Sequence, residues 1–428
     1  MTDIDPTSRV AEPALDDPTL ALPADRQDER LISEAGLRAV ASRFWDRLKG
    51  GELGALPVVF GLAIISIVFY AMEPIFLSSR NLVSIMQFAA PIGVISLGIV
   101  VVLLLGEIDL SVGSVSGLAA ASMTVLAVRY EQPMWLALLV GIAVGVAIGL
   151  LYAVLYNQVG VPSFVFSLAG LLGFQGLLLY VLGKEGTLNL PRDSWLVDFA
   201  RTDFLPVWLS YVVVVAIAAL YLGAQLRSFA QRRAAGLSTP SLPLTIGKAL
   251  ALAVGLGLLT YYLNIDRGWS YLWLFFAALV VVMDFALRRT TWGRHLFAIG
   301  GNEEAARRSG IKVARTYLSA FVLCSTMAAL GGILVAAQVT SVSQSSGTTD
   351  TNLTAIAAAV IGGTSLFGGR GSAYSAMLGI LVLQAITSGL NLIGVDSSVR
   401  FMVTGGVLLL AVAIDSISRR ARSSSGRG

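Results

Sequence analysis

The sequence predicts an all-α polytopic membrane protein of about twelve transmembrane helices, with broken or re-entrant segments among them. Three observations carry this. The chain of 428 residues is 56% hydrophobic and only 13% charged, about half the charge of an ordinary soluble domain. Its apolar residues come in runs of about 17–25, the length needed to cross a ~30 Å hydrocarbon layer. The basic residues collect in short segments between those runs, as membrane topology requires. The net charge of +4 therefore marks orientation and not a nucleic-acid surface, which would need a continuous basic patch.

Reactive groups are scarce. Cys324 is the single cysteine and His295 the single histidine. The chain alone cannot form a disulfide, a thiolate metal cluster or a Cys/His nucleophilic pair, so no catalytic and no metal residues are assigned. The reading is a transmembrane pathway and not an enzyme active site.

In chain order, residues 1–30 carry Pro6, Pro13, Pro18 and Pro23 among charged residues and read as a disordered tail. Over 31–50, Leu37, Val40, Phe44 and Leu48 repeat at helical spacing beside Arg38, Arg43, Arg47 and Lys49, which predicts an amphipathic interfacial helix. The transmembrane domain occupies 51–418. Its spans fall near 55–72, 83–105, 110–128, 135–155, 162–182, 207–222, 249–263, 271–287, 317–337, 353–367, 373–393 and 399–417. Those at 249–263 and 353–367 are short enough to be tilted, re-entrant or packed within the bundle. A basic tail, 419–428, follows.

Loop charge supports an even number of spans with both termini on the cytoplasmic side. Counted from a cytoplasmic N-terminus, the inner segments include 223–248, with Arg227, Arg232, Arg233 and Lys248, and 288–315, with seven Lys or Arg. The outer segment 338–352 has no basic residue.

Ionisable residues are few within the spans, which disfavours a proton relay. Asp284 with Arg288, and Asp415 with Arg419, have the i, i+4 spacing of end-of-helix ion pairs. Glu107 and Asp109 lie in a Gly-rich connection, 106–113, that lacks the basic residues of an inner turn. They are either ordinary acids of a tight turn or part of a broken helix in which Asp109 caps the following helix. Gly106–Gly113 and Gly362–Gly369 share the pattern G-x3-L-x2-G, a weak internal repeat. Gln384, Ser388 and Asn391 share one helical face. With Glu107, Asp109 and Ser111 they are the candidate pathway residues for a neutral, hydroxyl-rich solute; helix–helix hydrogen bonding is the competing reading.

The segment 288–315 is the most informative. Asn302 suits an N-cap, Glu303 and Glu304 the first turn, Arg307 and Arg308 the last, and Gly310 the C-cap. This predicts a two-turn helix, isolated by Gly300 and Gly301 and too short to be stable alone. It either packs on its own protein or meets a partner.

Three stretches resemble the signatures of monosaccharide ABC importer permeases of the ribose, arabinose and xylose type: 106–114, 293–311 and 357–372. The resemblance covers roughly 55–417. The extra basic stretch and pair of runs at 223–287 look more like the xylose branch or the multiple-sugar permeases. What the resemblance implies is a type II ABC importer-like fold in a bacterial inner membrane and import of a monosaccharide, D-xylose first, with ribose, arabinose or galactose as alternatives. It implies three protein partners: a second copy of the chain, a cytoplasmic ABC ATPase and a periplasmic or lipid-anchored sugar-binding protein. It also implies that the coupling contact with the ATPase falls on Asn302, Glu303, Glu304, Ala305, Arg307, Arg308, Ser309 and Gly310. The chain has no G-x-x-x-x-G-K-[ST] loop, so ATP and Mg belong to the partner and no cofactor is expected here. An ion-coupled sugar carrier is the rival reading. The residue that is usually Gly in the family is Glu107 here.

Overall fold

The computed structural model describes residues 56–424, apart from 238 and 240. The proposed tail 1–30 and the whole interfacial helix region 31–50 lie outside the described residues, as do the side chains of the Asp415–Arg419 pair. The helices are α1 (Leu56–Met72), α2 (Ser79–Leu104), α3 (Val112–Val128), α4 (Met134–Val154), α5 (Ser163–Leu182), α6 (Val207–Ala234), α7 (Leu242–Leu263) and α8 (Tyr271–Arg289). After them come α9 (Thr291–Gly301), α10 (Glu303–Arg308), α11 (Val313–Val339), α12 (Thr349–Ile361), α13 (Ala373–Leu392) and α14 (Ser397–Ser424). Two short strands, β1 (Thr187–Asn189) and β2 (Ser341–Ser343), pair antiparallel with Leu188 opposite Val342.

Each of the twelve apolar runs falls on a helix. Among the described residues, eight helices are long and apolar enough to cross a membrane, and three shorter apolar helices accompany them. Three expected spans differ, the first being that at 207–222, whose helix continues to Ala234 through part of the basic segment expected as a loop. The run placed at 249–263 begins at Leu242, because the helix continues through Thr245 and Lys248, and its 22 residues suffice to cross. The run placed at 353–367 stops at Ile361, because the glycines from Gly362 onward turn the chain. Its 13 residues reach only ~20 Å at 1.5 Å each, short of the ~30 Å core. Helix α14 also continues to Ser424, into the stretch expected as a tail.

By its contacts the chain divides into two compact units, one of them holding 211–258 and the other 51–210 with 259–428. In the latter, α11 is the central helix. Lipid offers no hydrophobic drive between apolar helices, so close association rests on small residues that let backbones meet. Gly141, Gly145 and Gly149 of α4 recur every four residues, on one face, and all are buried. A methyl group at Gly145 would lie 2.6 Å from both Ala329 Cβ and the Ser325 carbonyl of α11. At Gly141 it would meet Ile333 Cδ1 at 2.8 Å. Gly98 of α2 approaches Cys324 O of α11 in the same way, at 2.9 Å. Cys324 is fully buried there as a packing residue.

The bundle has two ends. At one, β1–β2 and the starts of α2 and α13's last turn gather. Gln87 Nε2 donates to the Ala200 and Arg201 carbonyls, and Gln338 Nε2 donates to the Gln87 carbonyl. Gln175 Nε2 donates to Gln344 O. These spans' amides serve as helix and loop ties. The other end holds the last turn of α2 and the segment from α9 to α11.

Candidate functional site

Helix α2 ends in a Schellman motif: Gly106 N–H donates to Leu103 O at 2.9 Å and Glu107 N–H to Val102 O at 3.2 Å. Gly106 takes φ +85°, the left-handed region that only glycine adopts freely. The connection 105–111 then leads into α3. Asp109 is 3% exposed. Its Oδ1 accepts from Ser111 N–H at 2.8 Å and Ser111 Oγ–H at 2.7 Å, and Tyr152 Oη donates to Ser111 Oγ at 2.7 Å. Asp109 thus satisfies the N–H of Ser111, one of the orphan donors at the start of α3, although Ser111 and not Asp109 stands at the N-cap position of that helix. Asp109 braces the turn before it.

Glu107 is half-buried and doubly held: Tyr156 Oη donates to Oε1 at 2.8 Å, and Ser163 Oγ donates to Oε2. Tyr152 and Tyr156 sit four residues apart on α4 and its terminal turn, so one helix face serves Glu107 directly and Asp109 through Ser111. That tyrosine pair is a signal in the sequence that a search for acids alone does not find.

The three motif stretches meet here. Leu104 O accepts Gly369 N–H at 2.9 Å. Gly300 lies so close to Leu104 that a methyl group would collide with its carbonyl oxygen. At Gly368 a methyl group would come within 2.7 Å of Gly300 O and 2.9 Å of Gly106 N. The two copies of the G-x3-L-x2-G pattern therefore touch, backbone against backbone. Gly300 and Gly301 do not isolate α10 as linkers; they belong to α9, and it is the missing side chain of Gly300 that makes this contact possible, since a methyl group at Gly301 would meet nothing.

Helix α10 is built as its caps predict. Asn302 Oδ1 accepts Ala305 N–H at 2.9 Å. Gly310, at φ +86°, closes the C-terminus in a second Schellman motif, with Ile311 N–H donating to Ala306 O at 3.2 Å. Glu303 pairs with Arg307 at 2.6 Å and Glu304 with Arg308 at 3.1 Å. Only Ala306 is buried; Glu304, Ala305, Arg307, Arg308, Ser309 and Gly310 are exposed. The inner side rests on α11, where Tyr317 Oη donates to Glu303 Oε2 at 3.2 Å. A pocket of about 500 Å³ opens beside it, lined by Tyr156, Asn157, Glu303, Arg307, Lys312 and Tyr317 among others.

Of the sequence-predicted pathway residues, Glu107, Asp109 and Ser111 form this one cluster. Ser388 and Asn391 lie elsewhere: Ser388 Oγ donates to Asn81 Oδ1 at 2.8 Å and Asn391 Oδ1 accepts from Arg400. Asn81 opens α2 whereas Leu104 closes it, which separates the two groups by ~35 Å of helix. Gln384, one turn before Ser388, is half-buried. Asp284 and Arg288 form the expected ion pair at 2.7 Å. His295 is half-buried on α9. Among the described residues no three His, Cys, Asp or Glu side chains gather to hold a metal ion. The cluster offers carboxylates fixed by hydroxyls and a rigid backbone crossing, an arrangement suited to holding and displacing chain segments.

Comparison with known proteins agrees. Residues 81–412 match the family described as branched-chain amino acid transport system / permease component. The chain is 33% identical over 390 residues to the xylose transport system permease protein XylH of Escherichia coli (strain K12), covering 91% of this chain and 98% of that one. It is 30% identical to the ribose import permease protein RbsC of Bacillus subtilis (strain 168), over 85% of this chain and 94% of the relative. The fructose import permease protein FrcC of Rhizobium meliloti is 28% identical over 81% and 80% of the two chains. No solved structure is significantly similar. With its multiple apolar helices, the chain belongs to this family of ABC transporter permeases: it is a multi-pass membrane transport component and not an enzyme.

Proposed function

We propose that this chain is the transmembrane permease subunit of an ATP-driven monosaccharide importer, with D-xylose the leading cargo. The relatives named for xylose, ribose and fructose transport support a sugar, and the match to the xylose permease covers nearly the whole of both chains. The observation that carries the mechanism is the exposed, doubly capped α10, which directly follows α9, the helix whose Gly300 lies against the last turn of α2. In this reading α10 faces the cytoplasm and contacts a separate ABC ATPase, which binds ATP and Mg. Two copies of the chain enclose the path, an extracytoplasmic binding protein delivers sugar, and both termini are cytoplasmic in an inner membrane. ATPase closure then displaces α10 and rocks the spans between two packed arrangements. A neutral solute and an external energy source together remove the need for charges along the spans.

The test is reconstitution with the partner ATPase and binding protein, comparing sugar-stimulated ATP hydrolysis with xylose, ribose, arabinose and galactose. Xylose is expected to give the largest stimulation. A response to none of the four, or full-rate uptake in vesicles without the ATPase, would overturn the proposal.

A further inference from the structure

Two carboxylates near α10 belong to different segments, yet a continuous series of contacts joins them. Glu303, the first residue of α10, uses Oε2 to accept from Tyr317 Oη at 3.2 Å, while its Oε1 holds Arg307. The Tyr317 ring packs on the Tyr156 ring with centroids 4.3 Å apart and planes 33° from parallel. Tyr156 Oη donates to Glu107 Oε1 at 2.8 Å. Tyr317 is 2% exposed, and Phe321 packs against both rings, its centroid 6.2 Å from that of Tyr317 and 5.5 Å from that of Tyr156, which confines the pair. A displacement of Glu303 is therefore passed to Tyr317, to Tyr156 and on to Glu107, because close-packed side chains shift together and do not deform continuously.

Glu107 is where this series enters the connection between α2 and α3. Without it the connection would still be fixed at Leu104, through the backbone contacts with Gly369 and Gly300, but those act before the Schellman turn. Beyond that turn Tyr152 holds Ser111 and Asn352 Nδ2 donates to the Leu110 carbonyl, but Glu107 is the side chain that meets the series of contacts from α10.

We infer that Glu107 is a positioning residue for the transport cycle, which ties the 105–111 connection to α10 through Tyr156 and Tyr317, so that movement of α10 is felt at the start of α3. This rests on the reading of α10 as the ATPase contact.

The test has two readouts. In the full-length permease in lipid nanodiscs, amide hydrogen exchange is followed over 105–111 for the native chain and for Tyr317→Phe, Tyr156→Phe and both together. Each change keeps the ring and removes one hydroxyl, so folding is retained; Glu107→Gln, of equal volume, provides an independent break. Loss of one hydrogen bond should raise exchange over 105–111 about fivefold, and the double variant should add little to the larger single effect, since residues of one series are not additive. In the complex with ATPase and binding protein, the same variants should keep ATP hydrolysis while sugar imported per ATP falls about fivefold. A purely structural role would lower both together.

Unchanged exchange over 105–111 in Tyr317→Phe, with charge reversal of Arg307 and Arg308 still abolishing uptake, removes the inferred tie and leaves the α10 contact standing. Uptake that survives that charge reversal removes the α10 contact itself, whatever the exchange shows.

Discussion

The two ends of the bundle are held by different chemistry. Where α2 ends, backbone meets backbone: Leu104 against Gly300 and Gly369, and Gly368 against Gly106. Where α2 begins, side chains bridge the gaps, with Gln87 reaching Ala200 and Arg201, Gln338 reaching Gln87, and Ser388 reaching Asn81. A contact between main chains leaves no rotamers to absorb a push. A glutamine bridge has several torsions that can. The backbone crossing at the first end therefore leaves less room for local adjustment than the glutamine bridges at the second.

Substitutions can break or sharpen this contrast. The largest effect is expected at the backbone crossing. Gly300→Val forces side-chain atoms into the Leu104 carbonyl and should destabilise by ~3 kcal/mol or more, the upper range for overpacking; a thermal unfolding midpoint equal to the native one would show that the crossing is not rigid. At the opposite end, Gln87→Ala strips two carbonyls of their buried donor and should cost ~1–3 kcal/mol, read by the same melt. Ser388→Ala removes a single half-buried bond to Asn81 and should cost ~0.5–1.5 kcal/mol. A loss as large as that at Gly300 would erase the distinction between the ends. Smallest is Glu304→Gln, whose pair with Arg308 is largely exposed and contributes ~0.3–0.5 kcal/mol. Its melt should be nearly native, so any strong loss of ATP-linked uptake there would point to the exposed face of α10 and not to its folding.

Much of this was legible in the residues. Runs of apolar residues located the helices because a span is set mainly by length and hydropathy. The caps Asn302 and Gly310 located α10 because its orphan N–H and C=O groups require them. Lys248 interrupts the apolar run without interrupting the helix, so hydropathy sets the start of α7 several residues after Leu242. Sequence alone cannot separate a breaking glycine from one that permits close approach, because both uses take the same residue, and only the neighbours of Gly300 in space show which it is. The anchors of Glu107 and Asp109 were missed for a related reason. Tyr152 and Tyr156 sit in another helix, and nothing in local spacing around 107 or 109 points to them.

The glycine face of α4 has a consequence in time. Its partner α11 is synthesised only after the whole chain between Gly149 and Val313, which takes the ribosome roughly 10–30 s. During that interval Gly141 already has Ala119 and Met123 of α3 beside it, whereas Gly145 and Gly149 lack the α11 backbone they pack on. A chain stopped before α11 would keep the full α4 yet leave the face at Gly145 and Gly149 without its partner.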